Sequence, residues 1–363
     1  MWPKRAFQLI SQFAFVVVVA LAACAVTSVT PVPDDARCKI AILLPETKTA
    51  RYETQDLPNF KKRLRELGFD EGNLIYSNAN QDAATQQQQA EAALTNGANV
   101  LVLDPVDSDA AAKIADLAKS QNVPVISYDR LIKGSDGVSY YISFDNEQVG
   151  RLQGTALLAA LAHTSHPTIV MINGSQTDNN AVLFKQGAHS VLDGRVTLAK
   201  EYDTPDWSPD KAQREMEQAL TALNNQVDGV YAANDGTAGG AIAAMKAAGL
   251  HPLPPVTGQD AELAAIQRIL AGEQYMTVYK AIRPEAFAAA DLAFALCNGK
   301  PPDESKVNSL VSNGKIDVPS IVLAPVSVTK DNIRETVIAD QFWSVEQICT
   351  ADFESFCEAA GIP

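Results

Sequence analysis

Between residues 39 and 272, short apolar runs alternate with longer stretches of helical period. The first run, KIAILLP (39–45), is short and carries branched apolar residues, which predicts a strand. Behind it, Leu57, Phe60, Leu64 and Leu67 recur at helical spacing on one face, and Lys61, Lys62, Arg63 and Arg65 lie largely off that face. The next units are NLIYSNA leading into TQQQQAEAALTNG and NVLVLDP leading into SDAAAKIADLAKSQ, and VPVISYD opens a fourth. This is the rhythm of βαβ units, so it predicts a parallel sheet with helices on both faces.

After YYISFDNEQVG the rhythm restarts. PTIVMING precedes AVLFKQGAHSVL, VTLAKEY precedes PDKAQREMEQALTAL, DGVYAAND precedes GTAGGAIAAMKAAG, and PPVTGQD precedes AELAAIQRILAG. Two similar α/β halves follow, an architectural repetition in which strand, polar pair, helix and Pro-marked strand recur in one order.

Polar groups fall at the ends of these runs. Asp129 and Arg130 follow VPVISY, Asp145 and Asn146 follow YYISF, Asn234 and Asp235 follow VYAA, and Gln259 and Asp260 follow PPVTG. Open parallel sheets bind ligands beyond the carboxyl ends of their strands, which makes these positions the binding candidates. Carboxylates accept and guanidinium and amide groups donate, matching the dual character of adjacent hydroxyls. Lys280 in MTVYK adds a cation, and Trp207 in DTPDWSP adds an apolar face for the CH groups of a ring. The set suits a neutral polyol better than an anion. Plainer roles exist for several of them: Asp145, Asn146 and Asp260 can cap the helices that follow, and Arg130 can pair locally with Asp129. Lys280 can equally be a solvated strand end and Trp207 a shield over a core edge. Their joint placement in both halves is what points to a site.

At 363 residues the chain exceeds one average domain of roughly 100 to 200 residues, in keeping with two halves. A net charge of −14 argues against nucleic acid and anionic membranes as partners, and with them a DNA-binding repressor. The N-terminus has a basic start at Lys4 and Arg5 and an apolar stretch from Phe13 to Leu21, the layout of a secretory signal too short to span a membrane comfortably. Leu21, Ala22, Ala23 and Cys24 resemble the bacterial lipoprotein cleavage box, which implies a leader over 1–23, lipid on Cys24 as the only membrane attachment, and a polar tether over 24–37. An exported chain can form disulfides, and a bridge from Cys349 to Cys357 would staple a C-terminal tail that otherwise frays. Cys38 and Cys297 are left as an open second pairing. Zinc is the rival for the tail cysteines, but His163, His166, His189 and His251 all lie far from them in sequence, so no metal is expected.

VISYDRLI, YYISFDNEQVG, DNNAVLFKQG, AANDGTAGGAI, GQDAELAAIQRILAGEQYMTVYK and IDVPSIVLAPVSVTKDNI resemble, in this order, stretches of the periplasmic sugar-binding proteins of ABC importers, and among them the D-xylose-binding proteins. The resemblance covers nearly the whole chain after the leader. It implies the type I periplasmic binding protein fold: two similar doubly wound parallel-sheet lobes joined by a multi-segment hinge near 145–147, 281–283 and 324–325. The N-terminal lobe would comprise 38–146 plus 283–324, and the C-terminal lobe 147–282 plus 325–363 with the stapled tail. The same resemblance implies hydrogen bonds to sugar hydroxyls from Arg51, Asp129, Arg130, Asn179, Asn234, Asp235, Asp260 and Lys280. The register within TDNNA is open, so Asp178 and Asn180 share the position with Asn179.

Trp207 matches the family's stacking aromatic on one ring face. On the opposite face the family pattern has Arg followed by Trp, whereas this chain has Arg51 followed by Tyr52. The implied function is that of a monomeric, cofactor-free receptor that closes on a monosaccharide, D-xylose or a related aldose, and presents it to an ABC importer permease. A receptor feeding a chemoreceptor or sensor kinase would have the same pocket. An exported glycosidase would use Asp129 and Asp260 as acid and base, but Arg130 and Lys280 would hold both ionised, which suits hydrogen bonding instead.

Overall fold

Successive residues of β1 (Ile40–Leu44) enter different cores: Ile40, Ile42 and Leu44 pack in one cluster, Ala41 and Leu43 in another. Side chains alternate across a strand, so a strand that is apolar at every position needs cover on both faces. The computed structural model describes residues 38 to 362; the predicted leader, the tether and Cys24 lie outside the described residues.

From β1 the chain runs through α1 (Leu57–Glu66), β2 (Leu74–Asn78), α2 (Ala83–Thr95), β3 (Val100–Leu103), α3 (Ala112–Ser120), β4 (Val125–Tyr128) and β5 (Val138–Phe144). It continues with α4 (Asn146–Ala160), β6 (Thr168–Asn173), α5 (Asn179–Leu192), β7 (Thr197–Asp203), α6 (Pro209–Ala222), β8 (Gly229–Ala232), α7 (Asp235–Ala247), α8 (Leu263–Leu270) and β9 (Thr277–Tyr279). The last elements are α9 (Ile282–Cys297), β10 (Ser309–Ser312), β11 (Asp317–Leu323), β12 (Val326–Val328), α10 (Val345–Ile348) and α11 (Glu354–Ala359).

One sheet has the order β10-β11-β5-β4-β3-β1-β2 and is parallel except for β10 against β11. Helices α1 and α9 cover one of its faces, and α2 and α3 the other. A second, parallel sheet has the order β7-β6-β8. Here Ile169 and Met171 of β6 pack with α4 and α5, while Val170 and Ile172 pack with α6 and α7. The antiparallel pair β9 and β12 extends this side through isolated bridges from Val230 to Val256 and from Gln259 to Val278. The architecture is therefore the doubly wound, parallel α/β class that the alternation predicts. Three connections pass between the two sheets: β5 to α4, β9 to α9, and β11 to β12.

Two features depart from the simple alternation. The strand predicted over PPVTGQD exists only as those isolated bridges. Pro254 and Pro255 offer no N–H to a ladder, and the Thr257 hydroxyl takes part of the strand's role by accepting from the Ala232 N–H at 2.9 Å. The antiparallel β10 is turned back on β11 at Asn313 and Gly314; Gly314 has φ +85°, and Asn313 Oδ1 accepts from the N–H groups of Lys315 and Ile316, both at 3.0 Å. In the tail, Cys349 is bridged to Cys357, and Ile348, Cys357 and Ile362 pack on Ile266 and Ile269 of α8. Cys38 is bridged to Cys297, tying the approach to β1 to the end of α9.

Candidate functional site

The carboxyl ends of the strands of both sheets meet around one cavity. It is small and lined by Thr49, Tyr52, Asp129, Arg130, Asp178, Asn180, Phe184, Trp207, Asn234, Gln259, Asp260 and Lys280.

Backbone strain places several of these groups. Directly after β4, Asp129 adopts φ 53°, with its N–H on Ile142 O at 2.8 Å and its carbonyl accepting from Ser143 Oγ at 2.6 Å and Asn180 Nδ2 at 3.0 Å. Asp206, Trp207, Asp260 and Ala261 share the left-handed region, with φ of 59°, 52°, 96° and 51°. Each such L-residue costs about 1–3 kcal/mol, and the strain persists only where surrounding contacts over-determine it. Trp207 is fixed by its Nε1, which donates to Asp178 Oδ2 at 3.1 Å, and by its indole lying flush on Gly174, where any Cβ would collide with the ring. Phe184 meets the indole edge-on at 6.3 Å.

The charges interlock across the two halves. Arg51 is clamped from behind by Asp56, which accepts from Nε at 3.0 Å and Nη2 at 2.6 Å, and by Glu285 at 3.1 Å. Its Nη1 is thereby aimed at Asp129 (3.3 Å) and Asp260 (3.8 Å). Lys280 sits 3.5 Å from Asp129 and 3.4 Å from Asp260, over the rings of Phe144 and Phe184. Arg130 pairs through Nε with Asp178 at 2.9 Å and donates through Nη2 to the Tyr52 hydroxyl at 3.1 Å, and that hydroxyl donates to Asp129 Oδ2 at 3.3 Å.

Burial works against the ionised form of Asp129, but Arg51, Lys280 and Arg130 outweigh it and hold the carboxyl well below the usual carboxylate range. Burial wins at Asp104, which is pushed well up despite Arg130, and at Asp178, which is raised more modestly. Around the cavity Asp129, Asp178 and Asp260 face Arg51, Arg130 and Lys280, a balanced set of acceptors and donors suited to a neutral polyhydroxyl ligand.

Of the residues singled out in the sequence, Tyr52, Asp129, Arg130, Asp178, Asn180, Trp207, Asn234, Asp260 and Lys280 line the cavity, and Arg51 backs it. Asn179 and Asp235 do not line it. Half-buried Asn179 is held by its N–H on Ser108 Oγ at 3.1 Å. The Asp235 carboxylate points away, to Gln274, Thr277 and Glu262. Asp145 caps α4, accepting from the Gln148 N–H at 2.9 Å, and Asn146 reaches Asn180 Oδ1 at 2.8 Å behind the site. Asn234 combines both roles, lining the cavity while its Oδ1 accepts from the Thr237 N–H at 2.9 Å. Thr49 and Phe184 are additional lining residues, as is Gln259, already marked by its place after PPVTG. Thr49 had a signal in lying two residues before Arg51; Phe184 had none, being one of several apolar residues on a core-facing helix.

Two α/β halves with opposed strand ends closing on a polar, aromatic-walled cavity define a two-lobed solute receptor. Residues 40–301 match the periplasmic binding protein domain family, and the chain belongs to it. Among curated relatives it is 40% identical over 309 residues to the D-xylose-binding periplasmic protein of Escherichia coli, an alignment covering 84% of this chain and 90% of that one. Among solved structures it resembles an ABC transporter solute-binding protein from Clostridium phytofermentans with bound β-D-glucose, with TM-score 0.78, 30% identity, and coverage of 85% of this chain and 99% of that chain. It also resembles a carbohydrate transporter solute-binding protein from Chloroflexus aurantiacus in complex with D-glucose, with TM-score 0.76, 31% identity, and coverage of 85% and 97%.

Proposed function

We propose that the protein is an extracytoplasmic receptor that binds a monosaccharide, D-xylose or a related aldose, between its two halves and delivers it to an ABC importer. The observation that carries this reading is the convergence of Asp129 and Arg130 from one half with Asn234, Asp260 and Lys280 from the other on one small cavity walled by Tyr52, Phe184 and Trp207. Carboxylates, guanidinium, ammonium and amide supply paired hydrogen bonds to neighbouring hydroxyls, and the rings pack on sugar CH groups. The names of the relatives and the sugars held by the solved neighbours agree with this chemistry. Asp129 is held ionised by three cations, which makes it an acceptor of hydroxyl protons rather than a general acid.

The lobes are proposed as 38–146 plus 283–324 and 147–282 plus 325–363, hinged at the three connections and closing as the ligand satisfies both sets of polar groups. Lipid on Cys24 would keep a monomeric receptor at the membrane surface. Among the described residues no helix is long and apolar enough to cross a membrane.

A thermal-unfolding screen of the purified protein against pentoses, hexoses and simple polyols tests this. A ligand at about a hundred times its dissociation constant stabilises by roughly 2.7 kcal/mol, a shift of a few degrees for a chain of this size. The expected result is a shift with D-xylose or a close relative that is absent in Asp260→Ala. No shift with any sugar would remove the assignment and leave the fold intact.

A further inference from the structure

Asp235 follows the residue that caps α7, is fully buried, and takes no part in lining the cavity. Its carboxylate is nonetheless saturated. Oδ1 accepts from Gln274 Nε2 at 2.7 Å; Oδ2 accepts from Thr277 Oγ1 and from the Glu262 N–H, both at 2.9 Å. Its own N–H donates to Gln259 O at 2.9 Å. One residue thus grips the 259–262 loop at both ends.

Between those two anchors lie Asp260 and Ala261, consecutive L-residues with φ 96° and 51°. The Thr277 hydroxyl that donates to Asp235 also accepts from the Ala261 N–H at 3.2 Å, and the Asp260 N–H reaches Val278 O at 2.9 Å. Behind the loop, Gly258 lies so close that a Cβ there would collide with Asp235 Oδ1, so the carboxylate fills the space under the turn. The strained turn aims the Asp260 carboxylate at Lys280 and Arg51, with its Oδ1 buried and lacking a hydrogen-bond partner among the described residues. A group this placed is a ready acceptor for a ligand hydroxyl, provided that the turn holds its shape.

We propose that Asp235 is a positioning residue: its carboxylate holds the 259–262 turn in the strained form that presents Asp260 to the ligand. The proposal rests on the receptor reading above. It places Asp235 one step behind the cavity, acting through Asp260 and not on the ligand itself.

The test combines two readouts on the purified protein: hydrogen exchange by mass spectrometry over peptides containing 259–262, without sugar, and titration with D-xylose and D-glucose. Asp235→Ala, Asp235→Asn and Thr277→Val are compared with wild type, Thr277→Val serving as the second probe should the alanine variant fail to fold. Exchange in the turn is expected to quicken in all three, least in Asp235→Asn, which keeps one acceptor oxygen. Sugar affinity is expected to fall about tenfold or more in Asp235→Ala, and by clearly less when Asp260 is already Asn, because the two residues act as one unit. Unchanged exchange in the turn, or losses that add in full with Asp260→Asn, would overturn the proposal. If the wild-type protein binds neither sugar, the receptor reading is in error, and the exchange comparison still decides whether Asp235 holds the turn.

Discussion

Burial decides the protonation of the second row of carboxyls. Asp235 is pushed up from 3.8 to about 7 by burial, with Arg268 opposing and Asp260 adding to the shift. Half-buried Glu262 is pushed from 4.5 to about 8 by burial of its carboxyl, then by Asp235 and Asp260, with Arg268 opposing and Glu46 adding. Both bind a proton more tightly in the folded chain than in the unfolded one. Between about pH 4 and 8 the folded state therefore holds more protons, and the stability these groups contribute is lost as pH rises through that window. Thermal unfolding midpoints are expected to fall from pH 5 to pH 8, with a shallower fall in Asp235→Asn; equal slopes in the two proteins would refute the assignment.

At this scale the sequence marks the right places but not the directions. Asn234 and Asp235 are adjacent at a strand end, yet Asn234 is the extended cap of α7 and Asp235 its first helical residue. The first therefore faces the cavity and the second faces β9. Likewise Asp178, the extended cap of α5, lines the cavity together with Asn180, whereas Asn179 between them is held through its N–H on Ser108.

The strands and helices of the doubly wound core were legible because strands such as β1 and β3 are unbroken apolar runs and the covering helices keep an apolar face. PPVTGQD misled because its apolar pattern was strand-like while its prolines denied it a ladder. The turn at Asn313 and Gly314 carries a common hairpin pair, but its strands are short and half-polar. The tail owes its order to packing on α8 and to its disulfide as much as to its own short helices. Replacing Cys349 and Cys357 together by Ser is expected to lower the unfolding free energy by about 2–4 kcal/mol. Denaturant unfolding checks this. Sugar affinity should stay as in wild type, since no tail residue among the described residues lines the cavity.

Across the whole molecule, the charged pairs at the cavity span the two halves. Arg130 pairs with Asp178, Lys280 with Asp129, Arg51 with Asp260, and Asn180 with the Asp129 carbonyl. Closure and binding are thus one event in this account: separating the halves strips Asp129 of Lys280 and Arg130 of Asp178, and a sugar that bridges them replaces water at both surfaces. Fold class was legible from the repeated alternation, whereas the meeting of two distant strand-end sets was implied by resemblance and takes shape only in three dimensions. The most direct measurement is a calorimetric titration of the purified protein with D-xylose, D-glucose, L-arabinose and D-galactose, alongside Asp260→Ala. The expected result is saturable one-to-one binding of at least one of these sugars by the wild-type protein and none by the variant. Absence of heat and of competition for all four, or equal binding by the variant, would contradict it.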